Sequence, residues 1–101
     1  MNKVAKGSRN EKRCEDELKS RGYTTWRTRR ARYLKLDMFG LFDVVGVSKD
    51  GAHMLFVQVK SNRFDKKQYE AISKFKLPSI TSRKEMWVYM DCRKDPVIYS
   101  A

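Results

Sequence analysis

The sequence predicts an α/β layered domain, one central mixed β-sheet flanked by helices, in the order α-β-β-β-α-β-β. Three observations predict it. A helical stretch ending at Gly22 leads into a β-branched and aromatic segment. Two apolar runs flank Lys49-Asp50-Gly51-Ala52, and a second helical pattern separates them from two short final strands. A chain of 101 residues and 12.0 kDa holds one such domain, residues 1–101.

Residues 1–10 are polar and basic and predict a flexible N-terminus. Glu11–Arg21 predicts a helix, with Cys14 and Leu18 four apart on one face and Gly22 as its stop. Tyr23–Thr28 predicts a strand from its Thr, Tyr and Trp content. Arg29–Leu41 predicts an irregular basic loop. Phe42–Ser48 and His53–Lys60 predict a hairpin, because Asp-Gly between apolar runs is a strong turn signal. Asp65–Lys76 predicts a second helix with Tyr69, Ile72 and Phe75 on its apolar face and Pro78 beyond its end. Met86–Asp91 and Val97–Tyr99 predict the last two strands.

Charge narrows the function classes. The chain carries 23 Lys/Arg against 12 Asp/Glu, a net charge of +11. Residues 1–35 hold 12 basic and 4 acidic residues, net +8, against +3 for the remainder. Such an excess costs self-repulsion, and a polyanion relieves it; nucleic acid is the first candidate, through phosphate neutralisation. Cys14 and Cys92 make no disulfide framework and no zinc motif. The single histidine, His53, leaves Ser–His chemistry little to work with. The polar start and the lack of ~20 consecutive apolar residues predict a soluble cytoplasmic protein, cellular or viral, with no membrane partner. Chemistry must therefore rest on carboxylates, lysine and a metal.

The hairpin gathers such groups. If Asp50 and Gly51 occupy the two turn positions, Lys49 pairs with Ala52, and stepwise outward Asp43 falls opposite Gln58. Opposed residues share a face, with Cβ atoms about 4.5–5.5 Å apart, and Lys60 stays on that face by the strand's period of two. Val45, Val47, Met54 and Phe56 continue the Asp43 face, while Phe42, Val44, Leu55, Val57 and Val59 line the other. Both faces are apolar, which predicts a hairpin covered on both sides. A polar cluster there must be paired or coordinate something. An ordinary Asp43–Lys60 salt bridge satisfies the same pattern.

Phe42-Asp43-Val44-Val45 followed by Gln58-Val59-Lys60-Ser61 resembles the D…(E/Q)-x-K signature of PD-(D/E)XK nucleases. Upstream, Lys6-Gly7, Glu11, Gly22-Tyr23 and Arg27 resemble the opening of the archaeal Holliday-junction resolvases, so the likeness spans residues 6–61. Phe42 replaces the usual proline. Gln58 replaces the commoner glutamate, as in restriction enzymes of the Mrr type.

The resemblance implies a restriction-endonuclease-like core and a metal-dependent DNA endonuclease, with branched DNA such as Holliday junctions among its substrates. It implies Glu11, Asp43, Gln58 and Lys60 as catalytic residues. Mg²⁺ or Mn²⁺ would be held by Asp43, Glu11, the Gln58 amide oxygen and the Val59 carbonyl. The cation would polarise the scissile phosphate and lower the pKa of a bound water. Lys60 would orient or deprotonate that water. Glu15 shares the helical face of Glu11 and is the alternative helix carboxylate.

Arg27, Arg29, Arg30, Arg32 and Lys35 form the densest basic segment and are candidate phosphate contacts, with Lys6, Arg9 and Arg63. Lys3, Lys12 and Arg13 would extend that track along helix one, and Lys66 and Lys67 would flank the active strand. Trp26 is expected in the core. Expected partners are duplex, branched or single-stranded DNA, with a homodimer for symmetric cutting. A DNA-binding module that keeps the fold without cleaving is the alternative, consistent with Gln58. RNA is a third possible substrate or ligand.

Overall fold

The elements form in the expected order: α1 (Lys3–Ser20), β1 (Tyr23–Arg27), β2 (Val44–Ser48), β3 (Met54–Ser61), α2 (Lys66–Lys74), β4 (Ser82–Tyr89) and β5 (Val97–Ser100). The computed structural model of the chain describes residues 3–27, 41–76, 82–91 and 93–101, with side chains described from residue 9 onward. Thr28, the predicted loop up to residue 40 with Arg29, Arg30, Arg32 and Lys35, Pro78 and Cys92 lie outside the described residues, as does the Lys6 side chain.

The strands make one five-stranded sheet in sequence order, antiparallel except for the parallel β3/β4 pair. A parallel pair needs a crossover, and α2 supplies it. β3 is the central strand. The two faces carry separate cores. Cys14, Leu18, Val44, Leu55, Val57, Trp87 and Tyr89 pack under α1; Phe42, Val45, Phe56, Ile72, Met86 and Val88 pack under α2. The prediction that both hairpin faces are covered therefore holds. No described helix is long and apolar enough to cross a membrane.

α1 begins at Lys3, not Glu11, so residues 3–10 are helix rather than a frayed terminus. The buried positions of α1 from residue 9 onward are Asn10, Glu11, Cys14 and Leu18. Two of these four are polar, which hides the apolar stripe from a periodicity reading. Once the helix is anchored through Asn10, extending it toward the N-terminus adds a backbone bond per residue at little cost. β4 likewise starts at Ser82, four residues before the predicted Met86. Its first half, Ser82-Arg83-Lys84-Glu85, lacks apolar alternation because its charges serve neighbours. Lys84 Nζ donates to the Ser73 and Phe75 carbonyls at the end of α2, and Glu85 accepts from Trp87 Nε1.

The hairpin register is as predicted from Val44/Val57 to Val47/Met54. Its connection differs. Ser48 N–H donates to His53 O, Gly51 N–H donates to Ser48 O, and Gly51 takes φ +73°, so residues 49–52 form a four-residue loop. Asp50 Oδ1 ties the loop by accepting from Ser48 Oγ and Ala52 N–H. Lengthening the loop symmetrically leaves the pairing unchanged.

At Asp43 the predicted register ends. Asp43 N–H donates to Val57 O at 2.9 Å, although Val57 is already the partner of Val44. Two consecutive residues facing one is a β-bulge. The bulge reverses the side-chain parity beyond it, which is why Phe42 lies with Val45 under α2 instead of with Val44 under α1. The expectation that Asp43 stands squarely opposite Gln58 is corrected accordingly.

Trp26, expected in the core, is 51% exposed. It pairs with Val45 on edge strand β1, while α2 packs over β4 at the other end of the same face.

Candidate active site

Gln58 lies on the central strand and is 6% exposed. Its Nε2 donates to Gln68 Oε1 of α2 at 3.1 Å. Its Oε1 is buried and, among the described residues, has no hydrogen-bond partner. An unmade bond at a buried acceptor costs about 1–3 kcal/mol, so a neutral oxygen left this way is suited to a cation.

Asp43 is 4% exposed, and its Oδ2 accepts the Val59 N–H at 2.8 Å. The bulge therefore replaces a ladder carbonyl with a side-chain carboxylate. Its position beside Val44 puts the charge within reach of α1: burial, and next the Asp43 charge, push the Cys14 thiol pKa up. Cys14 thus stays a protonated core residue. Gln58 and Lys60 share the α2 side, whereas Asp43 meets β3 from the α1 side at Val59. The three converge on one end of the hairpin rather than on one face.

Lys60 Nζ pairs with Asp65 Oδ2 at 3.5 Å, a partner the sequence reading did not consider. Asp65 is the N-cap of α2 and accepts the Gln68 N–H at 3.1 Å. That bond, helped by the Lys60 charge, holds its carboxyl below the usual value. A group with a lowered folded pKa stabilises the fold above its unfolded pKa and loses that contribution as pH falls through the lowered value. Asp65→Ala should cost about 1 kcal/mol at pH 7 through the lost cap. The gap to wild type should narrow as pH falls from the ordinary aspartate range through the lowered folded value, where the cap carboxylate protonates. Paired thermal melts from pH 7 to pH 2.5 check this.

Between β3 and α2, Asn62 takes φ +67°, an αL conformation that asparagine tolerates better than most residues. Asn62 N–H donates to Tyr89 O, and its amide exchanges bonds with Asp91: Nδ2 to Asp91 Oδ2, and Asp91 N–H to Oδ1. This turn redirects the chain from Lys60 into the Asp65 cap. Arg63, on the way, is exposed.

Glu11 is 5% exposed on α1, next to Asn10, whose Nδ2 donates to Ser61 Oγ at 2.7 Å. Asn10, within the buried stripe of α1, is thereby tied to the same end of β3 that carries Lys60. Glu15 is turned toward β1 and accepts from Thr25 Oγ1 at 3.1 Å. Of the two helix carboxylates, Glu11 has the more buried position. Val59, the expected carbonyl donor, is held between Asp43 and the α1 core. Among the described residues no three His, Cys, Asp or Glu side chains gather as a metal cluster. Among the described residues the donor set is at most two carboxylates with amide and backbone oxygens. Mg²⁺ accepts such a set, because it keeps several waters and takes one or two carboxylates.

Of the basic residues, Arg9 is exposed and Arg27 half-buried. Lys12 pairs with Asp16 on the helix surface. Arg13 does not track along the outside of α1 as expected. It donates to Asn10 Oδ1, Arg93 O and Lys94 O, and its guanidinium lies 4.5 Å from the Tyr89 ring centroid. It is a clamp between α1 and the segment before β5.

Asn10, Ser61, Asp65 and Gln68 were missed from sequence. One signal existed for two of them: Asp65-Lys66-Lys67-Gln68 has the spacing of a capping box. No family model matches the chain, and neither does any curated protein or solved structure.

Proposed function

We propose that the chain is a metal-dependent DNA endonuclease of the PD-(D/E)XK type on a restriction-endonuclease-like core. The single observation that carries the reading is Gln58: a polar residue of the Asp43…Gln58-x-Lys60 pattern, on the central strand, with a buried oxygen that lacks a partner. Asp43, Glu11, Gln58 Oε1 and the Val59 carbonyl are the residues that would hold Mg²⁺ or Mn²⁺. When bound, the divalent cation supplies positive charge that polarises a phosphate oxygen and acidifies water. Asp43 and Glu11 neutralise that charge and hold their oxygens in place. Lys60, released from Asp65, donates to the attacking water or to the phosphate oxygens as negative charge builds. Arg9, Arg27 and Arg63, with Lys6, Arg29, Arg30, Arg32 and Lys35, grip the flanking backbone. Branched DNA is the favoured substrate class, and a homodimer would place two such sites for symmetric cutting.

Labelled four-way junction, duplex, single-stranded DNA and RNA, incubated with Mg²⁺, Mn²⁺ or EDTA, test the proposal. Internal cleavage of DNA with metal and none with EDTA is the expected result. Two observations favour the second reading, a DNA-binding module without cleavage: the small carboxylate set, and the engagement of Lys60 with Asp65. Salt-sensitive binding with no cleavage under any metal would establish that reading.

Binding itself should fall steeply with salt. Removing Arg29, Arg30 and Arg32 together should flatten the log–log slope by about 2–3, at ~0.9 per lost phosphate contact on duplex DNA. Fluorescence anisotropy at several salt concentrations measures it, and an unchanged slope would put the phosphate contacts elsewhere.

A further inference from the structure

We infer that Gln68 is a positioning residue that fixes which end of the Gln58 amide faces a bound cation; this rests on the proposed metal-dependent reading. A carboxylate presents oxygen whichever way it turns. An amide does not: its two ends have nearly the same shape and opposite polarity, and an NH₂ turned to the cation repels it. A chain with glutamine at position 58 therefore needs something to choose the end.

Gln68 makes that choice. Gln58 Nε2 donates to Gln68 Oε1, so the nitrogen is engaged with α2 and the oxygen is left, buried and without a partner, at the other end. Gln68 is the third residue of α2, where a capping-box glutamine would bend back to the N-cap N–H. Its side chain reaches Gln58 instead, while its own N–H is held by Asp65. The cap that ends in Lys60's partner thus also sets where the Gln68 side chain begins.

Binding of Mn²⁺ alone to the full chain, followed by loss of the free Mn²⁺ electron paramagnetic resonance signal, tests this without any cleavage. Gln68→Leu should weaken Mn²⁺ binding about three- to tenfold, the size of one lost orienting hydrogen bond. In a Gln58→Glu background the same change should alter the dissociation constant less than about twofold, because both oxygens of the carboxylate serve. Gln68→Glu, which can only accept, should bind Mn²⁺ at least as tightly as wild type. It keeps the test decisive if Gln68→Leu folds poorly. Wild-type affinity in Gln68→Leu, or weakened binding in Gln68→Glu, overturns the inference and leaves the metal site standing. A wild type that binds no Mn²⁺ overturns the metal-dependent reading, and the inference with it.

Discussion

Replacing Asp43 or Lys60 with alanine is expected to abolish metal-dependent cleavage while leaving DNA affinity near wild type. Losing several kcal/mol of transition-state stabilisation from a metal ligand or a charged partner corresponds to a rate decrease on the order of 10³-fold. Binding should survive, because most of the proposed phosphate contacts lie on other residues. The two variants should differ in stability. Asp43 accepts the Val59 N–H from a buried position, so Asp43→Ala strands that donor at a cost of about 1–3 kcal/mol. Asp43→Asn keeps an acceptor oxygen and should inactivate with a smaller stability loss. Lys60 is about one-third exposed and its pairing with Asp65 is a surface ion pair, so Lys60→Ala should unfold close to wild type. Cleavage rates and anisotropy on the same junction, at temperatures where each variant is folded, check the pair. Cutting at the wild-type rate by either alanine variant refutes the active-site assignment.

Gln58→Glu is expected to lower the metal concentration for half-maximal cleavage roughly tenfold, about 1.4 kcal/mol. A full charge ~4 Å from its partner is worth about 4 kcal/mol at an effective dielectric near 20. Desolvating a carboxylate at a site 6% exposed removes much of that. Without metal the variant should be less stable, since a carboxylate is then buried at a site 6% exposed with no cation to offset its desolvation. Titrating Mg²⁺ and Mn²⁺ against rate, with thermal melts of the metal-free proteins, measures both effects. If Gln58→Glu needs more metal than an active wild type, Gln58 is not a ligand. An inert wild type that gains cleavage with Gln58→Glu identifies the chain as a binding module.

Much of the fold was legible in the sequence because its determinants are local. The β-branched and aromatic runs, the period of two and the Asp50-Gly51 turn specify the hairpin and its register from Val44/Val57 to Val47/Met54. Apolar residues on both faces of the hairpin signalled a central position, and β3 is the middle strand of five. The Asp43, Gln58 and Lys60 positions were visible for the same reason, since they stand at one end of that hairpin.

The rest depended on polar contacts between distant residues, which leave no periodic trace. The Asn10–Ser61 bond, across 51 residues, anchors α1's buried stripe to the end of β3. The Asp43 carboxylate, by taking the Val59 N–H, makes the bulge that turns Phe42 to the other face. The pairings of Gln58 with Gln68 and Lys60 with Asp65 arise only when α2 docks beside β3. Sequence alone determined the order of elements and the hairpin register from Val44/Val57 to Val47/Met54, and it named Asp43, Gln58 and Lys60 as candidates, because backbone pairing and apolar burial repeat along the chain. Which way those site residues face, and what each one touches, was decided by tertiary structure, because a single buried polar group takes whichever partner the packed elements bring within reach.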